Sequence, residues 1–367
     1  MANKDLHTAR LAKNDEFYTR YEDIQKEINA YIEYNPDVFR DKTILLPCDD
    51  PEWSNFTKFF AQNFERYGIK KLISTSYACN SKGDCETYCP TEFEKYSPKY
   101  DKNKTQTHGK IFTLTHDINQ NGVINIEDLE WTYLDGDGDF RSDEIKKLRD
   151  EADIIITNPP FSLFREFVAW IFEAKKSFLI MGNKNAITFK DIFPLIKSNK
   201  MWMGVSIHSG GVDLRVPSWW NMTSAHVKYD DEGNRYINLP YIRWFTNIDH
   251  GRRHQPLQLM TMADNIKHSK HPEVRGQEYR TYDNYDAIEV PYTDAIPSDY
   301  DGVMGVPITF LDKYCPEQFD IVSSNDFRKR EDVPYKEHGL IKDKEGAING
   351  KPTYARILIR KKKGGVQ

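Results

Sequence analysis

Three consecutive β-branched residues, Ile154-Ile155-Ile156, run into Thr157 and Asn158 and are stopped by Pro159-Pro160. A short continuous apolar run of this kind is a strand covered on both faces, as in a parallel sheet. Proline fixes φ and carries no N–H, so neither Pro159 nor Pro160 can extend the ladder. The strand therefore ends at Asn158, which presents its side chain and the Pro159 carbonyl as two rigid acceptors, with Phe161 directly behind them. Ligands of open α/β sheets sit at that carboxyl end. Ser162 is a candidate N-cap for a following helix.

The surrounding pattern agrees. From about residue 40 to 200, short apolar runs at 43–48, 70–77, 111–115, 153–157 and 177–181 alternate with amphipathic stretches at 52–67, 162–175 and 188–199. This predicts an α/β fold whose mostly parallel sheet carries helices on both faces. Gly68 suits the end of the first helix, and Pro194 is expected to kink the last. Polar stretches at 80–110 and 117–133 read as surface insertions. After residue 200 the strands shorten and tryptophan and tyrosine become frequent. Turn signals such as Asp230-Asp231-Glu232-Gly233-Asn234 separate them, so a mixed, β-rich second region is expected over 201–367, after a first domain over 1–200.

Charge narrows the partners. The 367 residues carry a formal charge of −5, so the chain is no global polycation. The cationic groups are uneven, however: from Arg328 onward there are 12 Lys or Arg against 5 Asp or Glu. Residues 240–280 hold 7 Lys or Arg against 4 acids and four of the ten histidines, with Arg252-Arg253-His254 in an expected loop. Basic groups beside aromatics suit phosphate and base-edge contact, and a solvated surface is the alternative. No stretch is apolar enough to span a membrane and the first residues lack a signal peptide's apolar core, so a cytoplasmic protein is expected. Five cysteines fit free thiols in a reducing compartment. Cys79, Cys85 and Cys89, with His108 and His116 downstream, leave zinc as an option whose spacing misses the usual Cys-x2-Cys.

An exocyclic amino group is a poor nucleophile because its lone pair is delocalised into the ring. Two acceptors set out of the ring plane favour a more tetrahedral, more reactive nitrogen, and an aromatic such as Phe161 would stack on the base. Asn158, Pro159, Pro160 and Phe161 are therefore candidate catalytic residues. Adenine, cytosine and an amide side chain all pose this chemical problem.

Longer strings separate these cases. Asn14-Asp15-Glu16-Phe17-Tyr18-Thr19, Cys48-Asp49-Asp50-Pro51, Ser54-Asn55-Phe56, Gly136-Asp137-Gly138-Asp139-Phe140-Arg141-Ser142 and Thr157-Asn158-Pro159-Pro160-Phe161-Ser162-Leu163-Phe164 resemble the EcoRI-type adenine-specific DNA methyltransferases. So do Tyr282-Asp283-Asn284-Tyr285-Asp286-Ala287-Ile288 and the run from Gly302 to Leu311, and the likeness extends nearly end to end. It implies a Rossmann-like catalytic fold, S-adenosyl-L-methionine as cofactor, no required metal, and duplex DNA as partner. Asn158, Pro159 and Phe161 match the motif that holds the extruded adenine. Asp139 and Phe140 match the pair that meets the cofactor's adenine. Asp49 and Asp50 stand, after Pro47, where such folds meet its methionine end, and a carboxylate suits the ammonium group. Phe17, Tyr18 and Thr19 match a segment, at about 10–30, that closes over the cofactor. Arg252, Arg253 and His254 are the candidate DNA contacts. A monomer is expected, serving either beside a cognate restriction endonuclease that shares the site or as an orphan methylase.

Two departures stand out. Pro47-Cys48-Asp49-Asp50-Pro51 replaces the usual glycine-rich turn, and the second strand ends in Ser74-Thr75-Ser76-Tyr77 without the acid that normally holds the ribose. Separately, Asp117-x-Asn119-x-Asn121-Gly122 through Asp128 approaches an EF-hand loop, so calcium is weighed there against a structural turn. The competing functions are a glutamine-N5 protein methyltransferase, which uses a similar Asn-Pro-Pro-Tyr, and a non-catalytic DNA-binding module.

Overall fold

A computed structural model describes residues 18–49, 54–78, 97–208, 210–216, 227–324, 346–353 and 356–364. Phe17, Asp50 and the cysteines at 79, 85 and 89 lie outside the described residues. The chain divides into two compact units, residues 1–184 with 204–249 and residues 185–203 with 250–367.

The first unit is built on a large mixed sheet. Strands β1 (Thr43–Leu46), β2 (Lys71–Ser76), β3 (Lys110–Leu114), β4 (Glu130–Tyr133), β5 (Ile154–Thr157) and β6 (Ser177–Asn183) are joined by β11 (Ile242–Thr246). They run in the order β4-β3-β2-β1-β5-β6-β11. The central four are parallel, with Leu45 opposite Ile73 on one side and Ile155 on the other. β3, β4 and β11 add antiparallel strands at the flanks. Ile44, Leu46, Ile154 and Ile156 join a core with Ile24, Ile28 and Tyr31 of α1 (Tyr21–Tyr34) and Phe56, Phe59 and Phe60 of α2 (Asn55–Gln62). Leu45, Ile73 and Ile155 alternate to the opposite face and are also buried, so the β-branched run is covered on both sides as its composition requires. A smaller antiparallel sheet, ordered β8-β10-β9, comprises β8 (Val212–Arg215), β9 (Val227–Tyr229) and β10 (Arg235–Leu239).

The second unit contains the short β7 (Trp202–Met203) and a four-stranded sheet in the order β12-β13-β17-β14, from β12 (Ala287–Glu289), β13 (Val303–Pro307), β14 (Phe319–Ser324) and β17 (Arg356–Lys361). A hairpin, β15 (Ala347–Ile348) with β16 (Lys351–Pro352), stands beside Tyr282 and Tyr285 in a separate cluster.

Several expectations are revised. The helix expected over 52–67 is α2, followed by turns that end at Gly68 with φ 62°. The polar α3 (Lys102–Thr107) lies in one expected insertion and β4 in the other. Ser142 caps α4 (Asp143–Glu151) by accepting from the Ile145 amide. Ser162 is not a helix N-cap: it lies in a 3-10 turn, and α5 (Phe164–Glu173) begins with Leu163 at the cap position. The helix expected over 188–199 is only α6 (Phe193–Lys197), and Pro194 stands in its first turn, where its missing N–H has no helical acceptor to lose. It starts a helix rather than kinking one. α7 (Met262–His268) of the second unit is capped by Thr261, which accepts from the Asp264 amide. Among the described residues, no helix is long and apolar enough to cross a membrane.

Candidate active site

The strand order reverses at β1, which has β2 on one side and β5 on the other, all three parallel. The crevice outside the carboxyl ends at such a reversal is where α/β sheets take ligands. Residues 47–49 leave β1 here, Tyr77 and Ala78 leave β2, and Asn158 to Phe161 leave β5.

Asp49 is 4% exposed. Its amide donates to the Thr75 carbonyl at 2.9 Å, and its own carbonyl accepts from Thr57 Oγ1 at 3.1 Å and from Ser74 Oγ. Ser54 Oγ donates to the Asp49 carboxylate at 2.6 Å while accepting from the Phe56 amide as the N-cap of α2. Three hydroxyls thus hold a turn that has no glycines. Pro47 is buried and Cys48 half-buried beside it.

Asp139 arrives from the loop between β4 and α4. The Ala78 amide donates to Asp137 O at 2.8 Å, and the Gly109 amide to Gly136 O at 2.9 Å. Gly138 has φ 88°, and a Cβ there would stand 2.4 Å from Ser76 O, so the backbone lies directly on the end of β2 where only glycine fits. Glu144 accepts from the Asp135 and Gly136 amides and closes the loop. Burial pushes the Asp139 carboxyl up, but hydrogen bonds from the Arg141 side chain and backbone and the Arg141 charge outweigh it, holding Asp139 below the usual carboxylate range. Phe140 turns the other way. It is 0% exposed, with its ring edge-on to Phe167 at 5.1 Å and Trp170 at 5.7 Å. Phe140, expected with Asp139 to meet the cofactor's adenine, is therefore packed in the core, and Asp139 is the accessible member of the pair.

Tyr18 and Thr19 are both buried. Tyr18 exchanges backbone hydrogen bonds with Arg215 at 3.0 and 2.8 Å, Thr19 Oγ1 donates to Met181 Sδ at 3.0 Å, and the Thr19 carbonyl accepts from Asn55 Nδ2 at 2.8 Å. Thr19 is so fixed to the start of α2, next to the residue that caps it.

After β5, Pro159 and Pro160 are buried and Asn158 and Phe161 half-buried. The Pro160 carbonyl accepts from the Leu163 amide at 3.0 Å and starts the 3-10 turn. Phe161 rests against the main core, and Phe164 lies 5.2 Å from Phe245 and over Gly182 of β6.

Arg252-Arg253-His254 form a 3-10 turn in the second unit. Arg253 is 6% exposed, stacked 3.6 Å over the Trp202 ring and hydrogen-bonded to Asn199, so burial and stacking withdraw it from the expected role in DNA contact. His254 is exposed and pairs with Glu317 at 3.0 Å. In the calcium-like loop, Asp117 accepts from the Asn121 and Gly122 amides, and Asp128 from those of Ile118, Asn119 and Asn125. These carboxylates act as turn acceptors. Among the described residues, no group of three or more His, Cys, Asp and Glu is placed to hold a metal.

The donor chemistry fits the expected cofactor: Asp49 offers a buried carboxylate for an ammonium after β1, and Asp139 an ionised one on the loop laid against the end of β2. Ser54 and Arg141 stand within the family-like strings, where sequence alone assigns them no role, although a serine ahead of an aromatic helix is a legible cap signal.

A mixed α/β sheet carrying Asn-Pro-Pro-Phe at its reversal, with carboxylates from neighbouring strand ends, defines an amino-group methyltransferase. The chain belongs to the family described as adenine-specific methyltransferase EcoRI, whose model it matches over residues 5–362. It is 40% identical to the Type II methyltransferase M.EcoRI of Escherichia coli over 98% of this chain and 97% of that one. It is 32% identical to M.MgeORF184P of Mycoplasma genitalium, over 97% and 98%, and 31% identical to M.MpnI of Mycoplasma pneumoniae, also over 97% and 98%. No solved structure matches.

Proposed function

We propose that this chain methylates N6 of an adenine within a short duplex DNA sequence, using S-adenosyl-L-methionine, as the modification enzyme of a restriction-modification system or as an orphan methylase. The observation that carries this reading is Asn158-Pro159-Pro160-Phe161 at the carboxyl end of β5, at the reversal beside Asp49. The sheet is read as Rossmann-like, the catalytic part as residues 1–200 and the target-recognition part as 201–367. Cytoplasmic location, a monomeric state and a cognate endonuclease belong to the same reading.

N6 is hidden inside a duplex, so the adenine leaves the stack at a cost of a few kcal/mol, offset by contacts with the base and DNA. Asn158 Oδ1 and the Pro159 carbonyl accept from the amino group, localising its lone pair, while Phe161 stacks on the ring. Asp49 binds the cofactor's ammonium, and Asp139 its adenine. The bound cofactor supplies an already activated sulfonium methyl. Positioning therefore provides most of the acceleration, at best on the order of 7 to 11 kcal/mol, and the amino proton leaves to water after transfer. Arg252 and His254 are assigned to DNA contact, with Arg253 supporting their turn.

Sequencing modified adenines in DNA from cells expressing the chain tests this directly. N6-methyladenine is expected at one recurring sequence, and its absence from every recurring site sinks the proposal. Asn158→Ala is expected to lower kcat by roughly a hundredfold or more with cofactor affinity nearly unchanged. An equal loss of cofactor affinity in a binding titration would refute the role given to Asn158.

A further inference from the structure

The loop carrying Asp139 is fastened to α5 on its far side. Phe140 packs on Phe167 and Trp170. Arg141, next in the chain, spends its guanidinium on Asp139: Oδ1 accepts from the Arg141 amide at 2.8 Å and from Nε at 2.9 Å, and Oδ2 from Nη2 at 2.5 Å. The same guanidinium lies 5.6 Å from the Phe140 ring centroid and 3.4 Å from Glu166 in the first turn of α5. That helix starts directly behind the turn holding Phe161. The Arg141 side chain is 53% exposed, so it adds little to the core. The Glu166 pair is longer and exposed, and contributes orientation more than energy.

We infer that Arg141 is a positioning residue for cofactor binding: its planar fork fixes the rotamer of the Asp139 carboxylate that meets the cofactor's adenine, on a loop anchored to the helix behind the target-base motif. This rests on the assignment of Asp139 to the cofactor made above. A carboxylate on a loop swings between rotamers unless something holds both oxygens, and a guanidinium does so in one geometry while a lysine ammonium does not.

The test is calorimetric titration of the full chain, without DNA, with S-adenosylhomocysteine. Arg141→Ala is expected to weaken binding about tenfold, and Arg141→Lys about threefold, since charge is kept and the fork lost. Asp139→Asn should weaken binding comparably, and adding Arg141→Ala to Asp139→Asn should cost nothing more. At saturating cofactor and DNA, kcat of Arg141→Ala should stay within about twofold of the unsubstituted chain, because the target-base acceptors are intact. If Arg141→Ala binds normally while Asp139→Asn does not, the inference is overturned and the role of Asp139 survives. Normal binding by Asp139→Asn overturns both, and additive losses in the double variant overturn the coupling. Should Arg141→Ala fail to fold, Arg141→Lys decides alone, and undiminished affinity there rejects the inference.

Discussion

At Asp139, burial and pairing pull in opposite directions, and pairing with Arg141 prevails. A carboxyl whose folded pKa lies below its unfolded value of about 3.9 adds stability above that value and loses it as the pH falls through the folded pKa. The difference in unfolding free energy between the unsubstituted chain and Asp139→Asn should therefore be complete at neutral pH and shrink in acid below the ordinary aspartate value. Urea titrations across pH measure it, and a difference that grows on acidification contradicts the assignment. Arg252 and Arg253 are neighbours with opposite fates. Arg253→Ala removes a desolvated stack on Trp202 and should cost about 2 kcal/mol of stability, leaving the salt dependence of DNA binding unchanged. Arg252→Ala should instead reduce that salt slope by roughly 1 at little cost in stability. A dipeptide of two arginines carries no mark of which one faces inward. The sequence exposed Asn158 and Phe161 because prolines constrain backbone locally, whereas the burial of Phe140 depends on Phe167 and Trp170, which a linear pattern does not bring together.

The elements around the site were legible where local chemistry determines them. Strands β1, β2, β5 and β6 follow from apolar runs with definite ends, and the stop at Pro159-Pro160 follows from a missing donor. Less visible was how α2 and α5 are aimed. α2 is aimed by Ser54, which caps the helix and holds Asp49 at once. Ser54→Ala should cost about 1 kcal/mol as a lost cap and should also weaken cofactor binding; unchanged cofactor affinity would separate the two roles. α5 is aimed by close approach: a Cβ on Gly182 would meet the Phe164 ring at 2.3 Å. Gly182→Ala is thus expected to destabilise by about 1 to 3 kcal/mol and to displace the start of α5. Periodicity alone carries a helix over 188–199, because it does not say whether Pro194 bends a helix or, as in α6, begins it.

For the molecule as a whole, composition separates the two halves near residue 200, yet the chain's compact units divide otherwise. It leaves the first unit at 184 and returns at 204. The run Ile242-Arg243-Trp244-Phe245-Thr246 reads as a strand anywhere, and only the fold pairs it with β6, Trp244 facing Met181. A fragment of residues 1–200 is therefore expected to lack cooperative unfolding and to aggregate, because β6 keeps an unpaired edge. A sharp two-state melt of that fragment would contradict this.

The same pairing imposes a schedule on synthesis. β6 is complete at residue 183 and β11 only at residue 246, an interval of roughly 3 to 13 s at translation rates of about 5 to 20 residues per second. Through that interval the nascent sheet waits on the ribosome with its last parallel strand open, and a holdase chaperone that binds apolar strand edges would find its target there.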